Sequence, residues 1–183
     1  MESATDGYCI EKILEGRTEY FSTLADRYGK PVFSLIVRMV ENREDAEELT
    51  QDVFMKAYRS LHTFRGNSSF STWLYRIACN TAISAVRKQR VEWLPIDEAS
   101  IADTTDDDAE SMMSLLSGEE RLERLQKALA QLPTGDRALI MLFYMQEQTV
   151  DEISAITHLS LPNVKTRLHR IRKKLLALMT GGM

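Results

Sequence analysis

The chain has 183 residues with 23 Lys and Arg against 27 Asp and Glu, a formal net charge of −4, and 44% hydrophobic residues. That supports one ordinary domain or two small ones with packed cores, and it offers no long apolar run to span a membrane. The start, MESATDGYCIEK, lacks the basic and apolar regions of a signal peptide, and Cys9 and Cys79 alone make a zinc site or disulfide framework unexpected. No cofactor or metal is expected, and a cytoplasmic location is.

The first half reads as all helix. Ile10–Leu14 begins a short helix, and Tyr20, Phe21, Leu24 and Tyr28 keep helical spacing up to an expected break at Gly29-Lys30-Pro31. Val32 to Val40 is apolar enough to be buried. Asn42 is placed to cap the next helix, with Asp45 three residues on. Ala46, Leu49, Val53 and Ala57 form its buried stripe, while Asp45, Glu48 and Asp52 lie on another face, either solvated or docked on a basic partner.

The polar loop HTFRGNSS separates Leu61 from Phe70, and a long helix starts near Ser69, carries Phe70, Trp73, Leu74, Ile77 and Ala78, and ends near Arg87-Lys88-Gln89-Arg90. Aromatic residues interleaved with Arg suit single-stranded DNA, because bases stack on π faces while guanidinium groups hold phosphates. Trp73 is partly core on this reading; Phe64 and Tyr75 are less obviously so.

Charge is segregated along the chain. Glu41 to Asp52 is acidic apart from Arg43, and Tyr58 to Arg90 carries Arg59, Arg65, Arg76, Arg87, Lys88 and Arg90 with no acid. From Val91 to Glu120 there is no Lys or Arg. Such local patches, not the net charge, set the field that a ligand meets. The acidic run with Pro95 and IDEASIADTTDDDAESMM shows no sustained period and reads as a flexible, self-repelling linker.

Thr149-Val-Asp-Glu152 is a capping box before Ile153, Ala155, Ile156 and Leu159, with a break at His158–Ser160. Small Ala155 is expected where two helices cross closely. Ser160 caps the next helix, Pro162 sits in its first turn, and Val164, Leu168, Ile171, Leu175 and Leu178 line one stripe. Its polar positions include Lys165, Arg167, Arg170, Arg172, Lys173 and Lys174, with no acid from Ser160 to Leu176. A short helix, a tight turn and a basic helix make a helix-turn-helix, whose second helix enters the major groove.

FRGNSSFSTWLYRIACNTAISAVRK (Phe64–Lys88) closely resembles the second conserved region of bacterial extracytoplasmic-function (ECF) sigma factors, with its FRG loop and TWLYRIAxN helix. DAEELTQDVFMKAYRSL (Asp45–Leu61) is similar to the preceding helix of that family. The stretch from Leu132 to Leu175, with its VKxRLxRxRKKL ending, resembles the fourth region. The resemblance implies an all-α chain of two small helical domains: region 2 over residues 1–92, a flexible acidic linker over 93–118, and region 4 over 119–183.

What the resemblance implies about function is specific. Asp45, Glu48, Gln51, Asp52 and Phe54 would dock on the β′ clamp helices of core RNA polymerase. Phe64, Arg65, Gly66, Asn67 and Ser68 would hold a base flipped from the non-template strand of the minus-ten element, next to Trp73. Arg76 and Asn80 would touch the melted strand, and Arg87 and Lys88 the duplex backbone. In the minus-thirty-five element the matching positions are Lys165, Thr166, His169 and Arg170, with Arg167 and Lys173 beside them. Arg170 suits a guanine, and Lys165 and Arg167 suit phosphates.

Apolar positions around Leu139–Tyr144 would meet the β flap. Ser84, Pro162 and Asn163 depart from the common family residues, which bears on the exact promoter sequence. With Met183 soon after the last helix, control is expected from outside, through a membrane-bound anti-sigma factor that masks both domains; no direct membrane insertion is expected.

Four other classes fit less well. A helical anti-sigma or interaction protein would explain the acidic face but not the paired basic helices. A helix-turn-helix regulator acting without core polymerase would not need the FRG loop and its helix. A response regulator needs alternating strands in its N-terminal half, which are not seen. An enzyme needs a constellation that scattered His62, His158 and His169 do not supply.

Overall fold

The computed structural model describes residues 5–40, 42–88 and 118–180. Among these there are eight α-helices and no strand. Helices α1 (Asp6–Leu14), α2 (Tyr20–Val40), α3 (Arg43–Ser60) and α4 (Phe70–Lys88) form a first unit, with a 3₁₀ turn at Leu61–Thr63. Helices α5 (Gly118–Ala130), α6 (Thr134–Ile140), α7 (Val150–Thr157) and α8 (Leu161–Thr180) form a second, and α6 continues as a π turn over Met141–Met145. The acidic tether expected at 93–118 lies outside the described residues, except for Gly118.

Local chemistry sets the helix starts. Thr5 caps α1 by accepting from the Tyr8 N–H at 3.3 Å, so this helix begins earlier than its apolar residues suggest. Asn42 Oδ1 accepts from the Glu44 and Asp45 N–H groups at 2.8 and 3.3 Å, as the sequence predicts. Ser69 Oγ accepts from the Thr72 N–H at 3.1 Å at the head of α4. Buried Ala46, Val53 and Ala57 let α3 pack closely on α2 and α4.

The break expected at Gly29-Lys30-Pro31 does not occur, because α2 runs straight through Pro31. An internal proline costs a helix about 3 kcal/mol through a lost hydrogen bond and a ring clash. Beyond it Val32, Leu35, Ile36 and Met39 are all buried, each worth about 1.5–3 kcal/mol, so packing outweighs the break. The segment Val32–Val40 is accordingly core on one side, with Arg38 exposed on another.

The two units pack on each other. Helix α2 contacts α6, and α4 contacts α7. Tyr75 Oη donates to Gln146 Oε1 at 2.7 Å, Gln146 Nε2 donates to the Pro31 carbonyl at 3.4 Å, and Thr72 Oγ1 donates to Gln148 Oε1 at 3.5 Å. Tyr75, which the sequence leaves ambiguous, is therefore core, because the second unit covers it. Burial pushes its phenol up to about 12 and keeps it a donor.

Candidate nucleic-acid interface

In the first unit an aromatic cluster carries an exposed loop. The ring of Phe64 packs 5.9 Å from Phe70 and 5.5 Å from Trp73, and Tyr28 backs Phe70 at 5.4 Å, centroid to centroid. Phe70 and Trp73 are buried, which makes Trp73 a platform under the loop more than a free stacking surface. Phe64 is half-buried, and Arg65, Gly66, Asn67 and Ser68 are all exposed beyond it. Gly66 has φ +71, in the left-handed region where a side chain would be strained, so the loop turns there.

Arg76 and Asn80 follow on α4, four residues and one turn apart, half-buried and exposed respectively. Helix α4 reaches Lys88, but the side chains of Arg87 and Lys88 lie outside the described residues. Cys79, on the buried side of α4, is no thiolate: burial pushes its thiol up to about 12.

On α3 the acidic face is real but does not gather every expected residue. Glu48, Gln51 and Asp52 are exposed, Asp45 is half-buried, and exposed Met55 falls within the same arc. Phe54 stands roughly 180° from Asp45 at 100° per residue. There it packs edge-on against Phe21 at 6.3 Å, away from the carboxylates.

The second unit presents its helix-turn-helix as the sequence predicts. Thr149 and Glu152 close a full capping box, with the Thr149 N–H donating to Glu152 Oε2 at 2.8 Å. His158 ends α7 in the left-handed region at φ 60, and Ser154 Oγ donates to the Leu159 carbonyl at 2.6 Å across the turn. Ala155, expected at the helix crossing, is exposed instead. An eight-residue helix has room for few inward positions, and Ile153 and Ile156 take them.

Val164, Leu168, Ile171 and Leu175 bury one side of α8, and Met179 extends the stripe in place of half-buried Leu178. Lys165, Thr166 and His169 are exposed on the opposite side, with Arg170 and Lys173 half-buried among them. Two further cations are held by protein groups. The Arg172 guanidinium donates to Tyr144 Oη at 2.7 Å and lies over the Phe143 ring at 5.3 Å. Arg167 Nη2 meets Asp136 Oδ1 at 2.6 Å, and the Asp136 side chain is only 1% exposed. Neither aromatic partner nor acid is evident by spacing, since each lies about thirty residues upstream of its arginine.

Helix α5 went unread in the sequence, although Leu122, Leu125 and Leu129 in a charged segment signal it. With the π turn and α8 it walls an apolar groove of about 780 Å³, lined by Leu122, Leu129, Met141, Tyr144, Leu176 and Met179 among others. Of the expected flap-binding stretch, Leu139 and Leu142 are core, whereas Tyr144 is exposed in this groove. No group of three or more His, Cys, Asp or Glu gathers as a metal site among the described residues, and no helix there is long and apolar enough to cross a membrane.

Residues 24–92 match the model of sigma-70 region 2, and residues 122–175 match that of sigma-70 region 4. The ECF RNA polymerase sigma factor SigW of Bacillus subtilis is 31% identical over 177 residues, covering 91% of this chain and 92% of the relative. The chain belongs to the ECF sigma factors. The ECF RNA polymerase sigma-E factor of Escherichia coli is 33% identical over 178 residues, covering 94% of this chain and 93% of the relative.

Two solved structures share the fold of this sigma factor. CnrH, in complex with the cytosolic domain of CnrY, superposes with a TM-score of 0.70 at 23% identity, covering 96% of this chain and 97% of that one. The sigma factor RpoE of Bartonella quintana, in complex with the anti-sigma factor NepR, gives 0.65 at 22% identity, covering 89% and 98%. As a sigma factor, the chain serves core RNA polymerase in promoter-specific initiation.

Proposed function

We propose that region 2 (residues 1–92) and region 4 (119–183), joined by the acidic tether, grip a promoter at two elements while bound to core polymerase. The observation that carries this is the pairing, in one chain, of an aromatic-backed exposed loop with a helix-turn-helix whose first helix is closed by a capping box and whose second carries cations opposite its buried seam. Phe64 to Ser68 receive a base flipped from the minus-ten element, over the Trp73 platform. Arg76, Asn80, Arg87 and Lys88 hold the opened strand and the adjoining duplex. Unstacking a base costs a few kcal/mol, which contacts to the captured strand must offset.

Helix α8 enters the minus-thirty-five major groove with Lys165, Thr166, His169, Arg170 and Lys173. Arg170 pairs with a guanine, and Lys165 grips phosphate. Asp45, Glu48, Gln51 and Asp52 dock on the basic β′ clamp helices, with Phe54 at the margin of that surface, and the groove beside Tyr144 receives the β flap. The protein acts in the cytoplasm, without catalysis of its own. Solved relatives sit in complex with CnrY and with the anti-sigma factor NepR. By the same logic an anti-sigma factor, membrane-bound, holds this chain inactive.

Elements named for positions thirty-five and ten lie about 25 base pairs apart, roughly 85 Å of B-DNA at about 34 Å per ten base pairs. Helices α4 and α7 touch in the described arrangement, so promoter engagement parts the Tyr75–Gln146 contact. Run-off transcription with core polymerase tests the whole reading. The chain should bind core and start transcripts at defined sites, and neither association nor selective initiation would overturn it.

A further inference from the structure

At 100° per residue, Val164, Leu168, Ile171 and Leu175 share an arc of roughly 60° on α8, and the side opposite holds Lys165, Thr166, His169, Arg170 and Lys173. Arg167 belongs to neither set. It stands roughly 130° from the centre of the cationic side and roughly 40° from the edge of the buried arc. There its guanidinium meets Asp136 on α6 at 2.6 Å, with the Arg167 side chain 21% exposed and that of Asp136 1% exposed.

A carboxylate this buried is costly unless paired, and Asp136 gains a second stabilisation from its place in the first turn of α6. The apolar seam of α8 is non-directional and tolerates small rotations, whereas a charge-assisted hydrogen bond fixes both distance and direction. Side-chain ends lie about 6 Å or more from a helix axis, so a turn of roughly 10° displaces them by about 1 Å. That is enough to spoil a two-pronged contact to a base edge.

We infer that Arg167 is a positioning residue, paired with Asp136 to set the rotation of α8 and so aim His169 and Arg170 at the bases, and is not itself a phosphate contact. This rests on the reading of α8 as the minus-thirty-five helix, and it reassigns one residue that the family resemblance places on DNA.

The test uses holoenzyme formed from full-length chain and core polymerase, a duplex selected from a random-sequence library by the wild type, and a scrambled duplex, each titrated over a salt series. Arg167→Met should lose about tenfold on the selected duplex and little on the scrambled one, with an unchanged salt slope; Asp136→Asn should do the same, and the double variant should be no worse than the worse single. Arg167→Lys, which retains the pair, should restore most of the discrimination. A phosphate clamp behaves otherwise: Arg167→Met would weaken both duplexes alike and lower the slope by about 0.9, and Asp136→Asn would cost nothing.

Either of those last results overturns the inference. Should Asp136→Asn fail to fold, the slope measured for Arg167→Met still decides. Should the wild-type holoenzyme select no duplex, the sigma-factor reading of α8 and this inference fall together; a selected duplex with a lowered Arg167→Met slope sinks this inference alone.

Discussion

The two units aim at DNA by different physical means. In the first, the surface proposed for DNA is a loop, and what holds it is an aromatic stack beneath: Phe64 on Phe70 and Trp73, backed by Tyr28. The residues beyond that stack are exposed and turn on Gly66. In the second, the surface is a helix, fixed along one side by its apolar seam and at its flanks by two arginines, Arg167 on Asp136 and Arg172 on Tyr144 and Phe143. A flipped base is caught by a surface that adapts to it; base edges in a duplex sit in a fixed frame and need a reader with fixed rotation. On the proposed reading, the exposed loop meets the flipped base and the helix pinned by the two arginines meets the duplex.

The largest way to break this contrast is to remove the seam. Leu168→Ala should cost about 2–5 kcal/mol, because Leu168 is 2% exposed and the space cannot fully close. Thermal unfolding followed by circular dichroism measures it, and an unchanged midpoint would mean that the Arg167 and Arg172 contacts hold α8 without the seam.

Two side chains on the proposed DNA surfaces should separate the functions of the units at about 1–3 kcal/mol each. Phe64→Ala should impair strand opening by that amount, the value of one base stacked on an aromatic, while duplex binding through α8 stays as in the wild type. Permanganate reactivity of thymines in the opened region reports it, and a template opened in advance should restore transcription; failure of such a template to restore would place Phe64 in the fold and not in opening. Arg170→Ala should lose about 1–3 kcal/mol of discrimination between the selected and scrambled duplexes. Equal losses on both would make Arg170 a phosphate contact.

Much of this was legible in the sequence for a physical reason: the features are local. Asn42, the Thr149–Glu152 box and the His158 break each depend on a few neighbouring residues, and the α8 seam depends on one period. What escaped is non-local. Pro31 reads as a break until the burial on both sides is known, and Tyr75 stays ambiguous until a second unit is seen to cover it. Asp136 and Arg167 are 31 residues apart, so only the packing of α6 on α8 shows that one charge is spent on the other. Phe54 follows the family's motif but is turned toward Phe21.

The caps offer a finer cut. Thr149→Ala removes the hydroxyl that accepts from the Glu152 N–H at 3.2 Å and should cost about 1 kcal/mol. The effect belongs to α7, so hydrogen exchange should quicken at the start of that helix and leave α4 unchanged. Equal quickening in α4 would mean that the two units open as one.

The smallest effect is expected where the units meet. Tyr75→Phe deletes one hydrogen bond to Gln146, a net loss of about 0.5–1.5 kcal/mol, and should widen the separation of fluorophores on α3 and α8 in the partner-free chain. Raising the pH does the same by another route. Burial lifts the Tyr75 phenol from 10.0 to about 12, so the folded chain holds that proton more tightly than the unfolded one. Its contribution is complete below pH 10 and is lost as pH rises toward 12. Cys79, lifted from 9.0 to about 12, and Tyr28, also raised, add losses of the same sign, so a Cys79→Ala background isolates the tyrosines. In that background Tyr75→Phe should flatten the fall in melting temperature between pH 10 and 12. An identical fall in both proteins would mean that the phenol is not buried by the second unit in solution, and that the two units already stand apart before any promoter is met.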